Sequence, residues 1–489
     1  MPGNSGIFSI SQLCFPEDNA IISALYLFIL TIQEAFMNII IAGDGKIGSM
    51  LTRQLSSEGH DITVIDSNSK VLEATVERFD VIAVHGNCAS MDVLLQAGVK
   101  DANLLIAATS EDEVNLLCCT TAHALNPKLH TIGRIRNPEY TEQIYKMRNV
   151  FGLSMVINPE NQTAVEIDRL LKYPGFLRRD TFAKGRTEIV ELRVKPGSKL
   201  CNVRLMDLRS IVNCQVLVCA VLREGNAIAP KGDFVLREGD RVFFTALSQN
   251  LTTLLKNLDI LTRRVRHVTI CGGGRISYYL AGRLKKSGIS VRIIEKNYDR
   301  CRELCELLPD ADIIHGDISD QDLLESDVLA GSDAVVTMTG MDEMNIIVSM
   351  YAVSKGVNQV ITKISHSGNR NLINSMSLGS LVCPRDLVCN NIVRYVRAME
   401  NQTGAAISVH AIADGQVEAL EFLVDEHTRN VGKPLKEIRL KPDVLLVGIA
   451  HGGSTEIPNG NSVFQQGDTV VVVDTNKREI IRQLNDIFA

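Results

Sequence analysis

The chain has 489 residues, enough for about three or four ordinary domains, and its 45% hydrophobic and 22% charged content is that of a globular protein. Its 51 basic residues are outnumbered by 57 acidic ones, for a net charge of -6, and no basic tail or block occurs, which argues against nucleic-acid binding. The 12 cysteines show no Cys-x-x-Cys pair and no Cys/His cluster of zinc spacing, so they read as free thiols in a reducing compartment.

Residues 1–36 contain an apolar run at 20–30, followed by Thr31-Ile32-Gln33-Glu34. That run is too short to cross a hydrocarbon core of ~30 Å, which takes about 20 residues. It also lacks the basic leader of a signal peptide. It reads as an extension with no role in the fold and Met37 as a candidate start, with a membrane or partner contact as the functional alternative. No other segment is long and apolar enough to span a bilayer, so the chain is not a pore by itself.

From Met37 the pattern alternates strand and helix. A strand at 38–42 runs into Gly43-Asp44-Gly45-Lys46-Ile47-Gly48, and Ile47, Met50, Leu51 and Leu55 then recur at helical spacing. A second strand at 61–65 ends at Asp66. A third at 81–84 ends at His85-Gly86-Asn87, and a short helix covers 91–98. A fourth at 103–108 ends at Thr109, before a helix carrying Val114, Leu116, Leu117 and Cys118. A fifth at 130–132 ends near Arg134, and a sixth lies at 155–157. Near-continuous apolar strands alternating with helices predict a parallel sheet covered on both faces.

The glycines have a physical purpose. The first relieves the sharp strand-to-helix turn, the second lets the backbone approach a pyrophosphate, and the third lets the helix pack close to the strand. The helix N-terminus offers N–H groups and partial positive charge to phosphates. An acid ending the second strand accepts hydrogen bonds from a ribose diol, and it repels a 2′-phosphate.

The pattern recurs about 229 residues later. A strand at 268–271 runs into Gly272-Gly273-Gly274-Arg275-Ile276-Ser277, and a strand at 290–294 ends at Glu295. Asp66 follows Gly43, and Glu295 follows Gly272, by the same 23 residues. His315-Gly316-Asp317 matches His85-Gly86-Asn87. Thr339, Asp342, Glu343 and Asn345 match Thr109, Asp112, Glu113 and Asn115, and Lys363 matches Arg134. Between and after these units lie short strands with turn signals: 187–194, 215–223 and 235–245 in one case, 417–424, 444–451 and 469–473 in the other.

The expected fold class is α/β: two Rossmann-like, doubly wound parallel-sheet domains, each followed by a small α+β domain. The boundaries read as an extension 1–36, a first nucleotide-binding domain 37–158, a linker helix 159–184, a small domain 185–252, a second nucleotide-binding domain 266–383, a linker helix 384–404 and a second small domain 405–489. Two related halves in one chain imply pseudo-two-fold pairing.

The candidate nucleotide-binding residues are Gly43, Asp44, Gly45, Lys46, Ile47, Gly48, Asp66, Asn87, Thr109, Glu113 and Arg134 in the first copy. In the second they are Gly272, Gly274, Arg275, Ile276, Glu295, Asp317, Thr339 and Lys363. Arg134 is placed to reach a phosphate, while Asp112 and Glu113 equally serve to charge the first turn of their helix. His85 and His315 have no paired acid and read as packing or hydrogen-bonding residues. No catalytic or metal-ligating set stands out.

The domain order, the His-Gly strand ends and the Thr-x-x-Asp-Glu-x-Asn segments resemble the N- and C-domains that regulate conductance of potassium (RCK). Two such pairs in one chain resemble the peripheral subunits of Trk-type potassium uptake systems, over residues 37–489. The resemblance implies NAD(H) as cofactor, with ATP or ADP as alternatives. It also implies docking on a membrane-embedded, potassium-translocating subunit of the Trk type, homo-oligomers (a dimer or tetramer ring), and a cytoplasmic, peripheral position at the inner face of the membrane. It implies regulation and not catalysis. Ser277 departs from the third glycine, and predicts weaker binding in the second copy; Asn87 departs from the Asp kept at 317. The competing reading is an NAD-dependent dehydrogenase. It accounts for the glycine loops but not for the repeated small modules, and it lacks a substrate domain with acid and base groups.

Overall fold

The computed structural model describes residues 37–173, 175–260, 265–325, 329, 331–365, 376, 378–400, 406–475, 481 and 483–489. The extension 1–36 lies outside them, as do residues 401–404 of the second linker. The chain divides into two compact units, residues 1–133 with 145–155, and residues 134–144 with 156–489.

The first parallel sheet consists of β1 (Asn38–Ala42), β2 (Asp61–Asp66), β3 (Ile82–His85), β4 (Leu104–Ala107), β5 (His130–Arg134) and β6 (Met155–Ile157), in the order β3-β2-β1-β4-β5-β6. The order reverses direction between β1 and β4, and this switch point is where open α/β sheets leave a crevice for ligands. β1 and β4 are buried along nearly their whole length, as strands covered on both faces should be. The helix after β2, Ser69–Val76, starts where it does because the Asn68 side chain accepts a hydrogen bond from the Lys70 N–H, capping a free donor.

The small domain that follows is antiparallel: β7 (Arg178–Phe182), β8 (Thr187–Arg193), β9 (Val216–Arg223), β10 (Asn226–Ile228) and β11 (Arg241–Leu247), ordered β10-β9-β11-β8-β7. The second half repeats both plans. β12 (His267–Cys271), β13 (Ser290–Glu295), β14 (Asp312–His315), β15 (Ala334–Thr337), β16 (Gln359–Lys363) and β17 (Ser380–Val382) form the sheet β14-β13-β12-β15-β16-β17. β18 (Ala406–Ile412), β19 (Val417–Leu423), β20 (Val444–His451), β21 (Ser454–Glu456) and β22 (Thr469–Asp474) form the sheet β18-β19-β22-β20-β21. The doubly wound expectation therefore holds for both copies.

Two further features organise the second unit. The helix Pro159–Lys172, capped by Asn158 and begun by a proline at its first turn, buries Ala164, Ile167, Leu170 and Leu171 against Val268, Ile270 and Leu280 of the second parallel-sheet domain. The two small domains also stack sheet on sheet. Phe182, Ile189 and Phe243 of one interleave with Ile412, Val447 and Val471 of the other, in one continuous apolar cluster. Burying each such side chain stabilises by about 1.5–3 kcal/mol. The hydrogen bonds at its rim obey the pseudo-symmetry. Arg186 donates to the Gly452 carbonyl at 2.7 Å, and Gln416, its counterpart, donates to the Gly225 carbonyl at 2.6 Å.

Candidate nucleotide-binding sites

Each site is built at the carboxyl ends of the central strands. In the first, Gly43 follows β1 with φ +94° and its N–H bonds to the Ile65 carbonyl at 2.7 Å. A side chain there would come within 2.9 Å of the Thr109 backbone, and one at Gly48 within 2.0 Å of the Gly43 carbonyl oxygen. Both positions therefore demand glycine for space. Gly45 differs, because a Cβ there would meet nothing within 4 Å. It presents open backbone on the outer side of the loop, which is the approach a pyrophosphate needs. Lys46 beside it is exposed, and Ile47 is buried at the start of the helix Gly48–Ser57.

Asp66 braces this loop. One carboxylate oxygen accepts the Asp44 N–H at 2.7 Å and the other the Asn68 N–H at 2.8 Å. Asp44 itself turns inward. Its carboxylate accepts the Thr75 hydroxyl, and burial raises its pKa, with Asp66 adding to the rise and Thr75 opposing it. On the facing edge, Thr109 gives its N–H at 2.9 Å and its hydroxyl at 2.7 Å to the same oxygen of Asn115. Asn87 sits exposed in the loop after β3, and Glu113 is exposed on the first turn of the helix Asp112–Leu125. Arg134 ends β5 in the second compact unit, where it, Arg136 and Arg275 act on the carboxyl of Glu160; burial raises the pKa of that carboxyl and the three arginines oppose the rise.

The second site repeats the construction. Gly272, at φ +106°, bonds the Ile294 carbonyl at 2.8 Å. Gly274 is the open position, with nothing within 4 Å of an added Cβ. Arg275 is exposed at the start of the helix Arg275–Lys286, and Ile276 packs onto the core. Glu295 accepts the Gly273 N–H at 2.7 Å and the Asn297 N–H at 2.8 Å. Thr339 gives its N–H and hydroxyl to Asn345, each at 2.8 Å, and Lys363 reaches across to the Thr339 carbonyl at 2.5 Å. Asp317 is held by the Ser319 N–H and hydroxyl, which lower its pKa. Ser277 in place of the third glycine is absorbed locally, its hydroxyl donating to the Gly272 carbonyl.

Sequence alone assigns no role to three residues of these sites. Asn115 and Asn345 mark the repeat in the sequence, and both are fully buried pins for the threonine edge. Arg300 lies on the helix Tyr298–Leu307 and donates from Nε to the Gly273 carbonyl at 2.8 Å; its counterpart in the first copy is Val71. The strand-end histidines do bond to backbone: His85 to the Ser67 carbonyl at 3.0 Å and His315 to the Lys296 carbonyl at 3.2 Å. Among the described residues no group of three or more His, Cys, Asp and Glu side chains has metal-binding geometry, and no helix is long and apolar enough to cross a membrane.

Comparison with known proteins adds the lineage. Residues 39–159 and 268–384 match the TrkA-N domain, and residues 189–259 and 419–486 the TrkA-C domain. The Trk system potassium uptake protein TrkA of Vibrio alginolyticus is 31% identical over 451 residues, 91% of this chain and 97% of that one. A TrkA homolog of Archaeoglobus fulgidus is 33% identical over 454 residues, covering 92% and 100%. Among solved structures, the GsuK RCK domain matches with a TM-score of 0.58 at 18% identity, over 90% of this chain and 93% of that one. The GsuK channel bound to NAD matches at 0.58 and 17%, over 94% and 83%. At those identities the likeness establishes the fold.

Proposed function

Because the chain belongs to the family of the Trk system potassium uptake protein TrkA, we propose that it is a nucleotide-binding regulatory subunit of potassium uptake. One observation carries the ligand class. Both glycine loops leave their middle glycine open, at Gly45 and Gly274, while an acid at the end of the second strand braces the loop from the ribose side. That cradle fits an adenine nucleotide: open backbone and a helix start for the phosphates, and the remaining lone pairs of Asp66 and Glu295 for the ribose hydroxyls. The acids disfavour a 2′-phosphate, so NAD(H) is preferred, with ADP and ATP as smaller ligands sharing the adenosine end. Thr109 and Thr339, held by their asparagines, form the opposite rim. Lys46, Arg275 and Lys363 supply positive charge.

Regulation requires more than binding. A ligand shifts an equilibrium only by the difference in its affinity for two arrangements, and about 1–3 kcal/mol is an ordinary coupling. The partner we assign is a membrane-embedded, potassium-translocating subunit of the Trk type, met from the cytoplasmic side by a homo-oligomer of this chain. The role is that of a sensor and not of a catalyst.

The test is potassium uptake by vesicles containing such a subunit, with this chain added and with NAD+, NADH, ADP or ATP varied. Uptake should depend on the chain and respond to nucleotide. Gly45→Val, which the open space around Gly45 tolerates, should abolish the response of the first site while the protein stays folded. Uptake indifferent to the chain would reject the reading.

A further inference from the structure

The rims of the two candidate nucleotide sites differ by one aromatic ring. Tyr298 opens the helix Tyr298–Leu307, three residues after Glu295, and is 62% exposed. Among the described phenylalanine and tyrosine side chains it alone is exposed; the rest are buried or half-buried. A ring left in water forgoes the stabilisation that burial would bring, so exposed tyrosines concentrate where a ligand or partner covers them. The Tyr298 ring is also held in place. It meets the His315 ring edge-on, with centroids 5.4 Å apart and planes inclined at 74°. His315 ends β14 directly opposite Glu295 in the strand register, and its Nε2 lies 3.2 Å from the Lys296 carbonyl. The two rings form a corner at the carboxyl ends of β13 and β14, on the side of Glu295 away from the glycine loop that follows β12.

The first copy keeps the histidine and lacks the ring. His85 lies opposite Asp66 and contacts the Ser67 carbonyl just as His315 contacts that of Lys296, but Ser69 stands in the place of Tyr298. A nucleotide laid on the second loop has a set direction. Its phosphates meet the open backbone at Gly274 and the start of the helix Arg275–Lys286, and its ribose meets Glu295. The base leaves the sugar on the side away from the phosphates, and so continues toward β14. Neighbouring strands lie about 4.8 Å apart, close to the reach of a base from its ribose. That path ends at the corner made by Tyr298 and His315.

We propose that Tyr298 is the residue on which the base of a nucleotide stacks in the second site, with His315 bracing its ring, so that the two sites of one chain differ in how strongly they hold a base. This rests on the reading of both crevices as nucleotide sites. Stacking uses the face of the ring and not its hydroxyl, so a phenylalanine serves equally and an aliphatic residue does not.

Calorimetric titration with ADP tests this on the full chain, with Gly45→Val blocking the first site. In that background Tyr298→Leu should weaken ADP binding about tenfold, and Tyr298→Phe should bind as the parent does. The reciprocal transplant adds a gain: with Gly274→Val blocking the second site, Ser69→Tyr should tighten ADP binding at the first. ADP bound equally well by Tyr298→Leu and its parent overturns the proposal. So does an equal loss in the leucine and phenylalanine variants, which would mark the hydroxyl and not the ring. Failure of the Gly45→Val parent itself to bind ADP would instead reject a nucleotide in the second crevice, and the stacking role with it.

Discussion

Asp180 and His410 occupy equivalent positions in the two repeats, and they touch each other. β7 pairs Asp180 with Ile189, and β18 pairs His410 with Ala419, so the register makes the two residues counterparts 230 positions apart. The His410 Nδ1–H donates to Asp180 at 2.8 Å, and Arg394 donates to His410 Nε2 at 2.7 Å. Arg178 holds the other side of Asp180 through two bonds at 2.7 and 3.1 Å. In a symmetric pair of small domains one residue type would meet itself here. Duplication within one chain has let an acid and a base divide the position.

This contact makes stability depend on pH. Burial, outweighing the pull of Asp180, lowers the pKa of His410 below its ordinary 6.5, with Arg394 and Arg178 assisting. The imidazole is therefore neutral in the folded chain, with Nε2 accepting from Arg394. The unfolded chain takes up the proton first, so stability falls as pH drops through about 6.5 toward the folded value. Asp180 works in the same direction at lower pH. Burial would raise its pKa, but Arg178 and His410 overcome it and hold it well below the usual carboxylate range. Its stabilisation is present above that range and lost as pH falls through it. Urea unfolding between pH 5 and 8 should show a step that His410→Gln removes; parallel curves for the two proteins would disprove the coupling.

The ribose acids offer a second test. Asp66→Ala should weaken NAD(H) binding at the first site by about 1–3 kcal/mol, the usual loss for a strong polar contact. Glu295 braces Gly273 and Asn297 as Asp66 braces Asp44 and Asn68, so Glu295→Ala should cost the second site a comparable amount. Calorimetric titration of both variants decides. Unchanged affinity in Asp66→Ala rules out the ribose role, and a loss confined to Asp66→Ala shows that the second crevice holds no nucleotide.

The third glycine gives a third. Gly48→Val forces a Cβ into the Gly43 carbonyl and should destabilise the chain by about 1–3 kcal/mol, as overpacking does. Ser277→Ala only removes a hydroxyl bonded to the Gly272 carbonyl, a loss of about 1 kcal/mol. Denaturant titration giving the opposite order would refute this account of the two turns.

A fourth concerns the threonine rim. Asn115→Ala removes the side-chain oxygen that accepts from both the Thr109 N–H and hydroxyl, and Asn345→Ala removes the one that accepts from those of Thr339. Each should cost about 1–3 kcal/mol of stability. Thermal unfolding is the readout, and a change within error at both positions would show that the pins are dispensable.

What the sequence disclosed follows from range. Glycine spacing, the acid 23 residues on and the apolar strands are local patterns with local causes, and they specify both parallel sheets from sequence alone. The conserved offset between copies exposed the repeat. Asn115 looked like a landmark because its job, accepting from a backbone N–H six residues earlier, exists only after β4 and its helix have turned toward each other. Arg300 was invisible for the same reason, since nothing in its neighbourhood names Gly273 as its acceptor. Asp180 and His410 are further apart still, and their meeting is a property of the stacked small sheets alone.

The stacking of those sheets has a consequence for concentration. Were the halves separate polypeptides, their small domains would part on dilution below a dissociation constant. Here a covalent tether holds each at an effective local concentration on the order of millimolar or more relative to the other. The join between Phe182, Phe243 and Val447, Val471 is thus first order. It forms equally well in a cell making ten molecules or ten thousand.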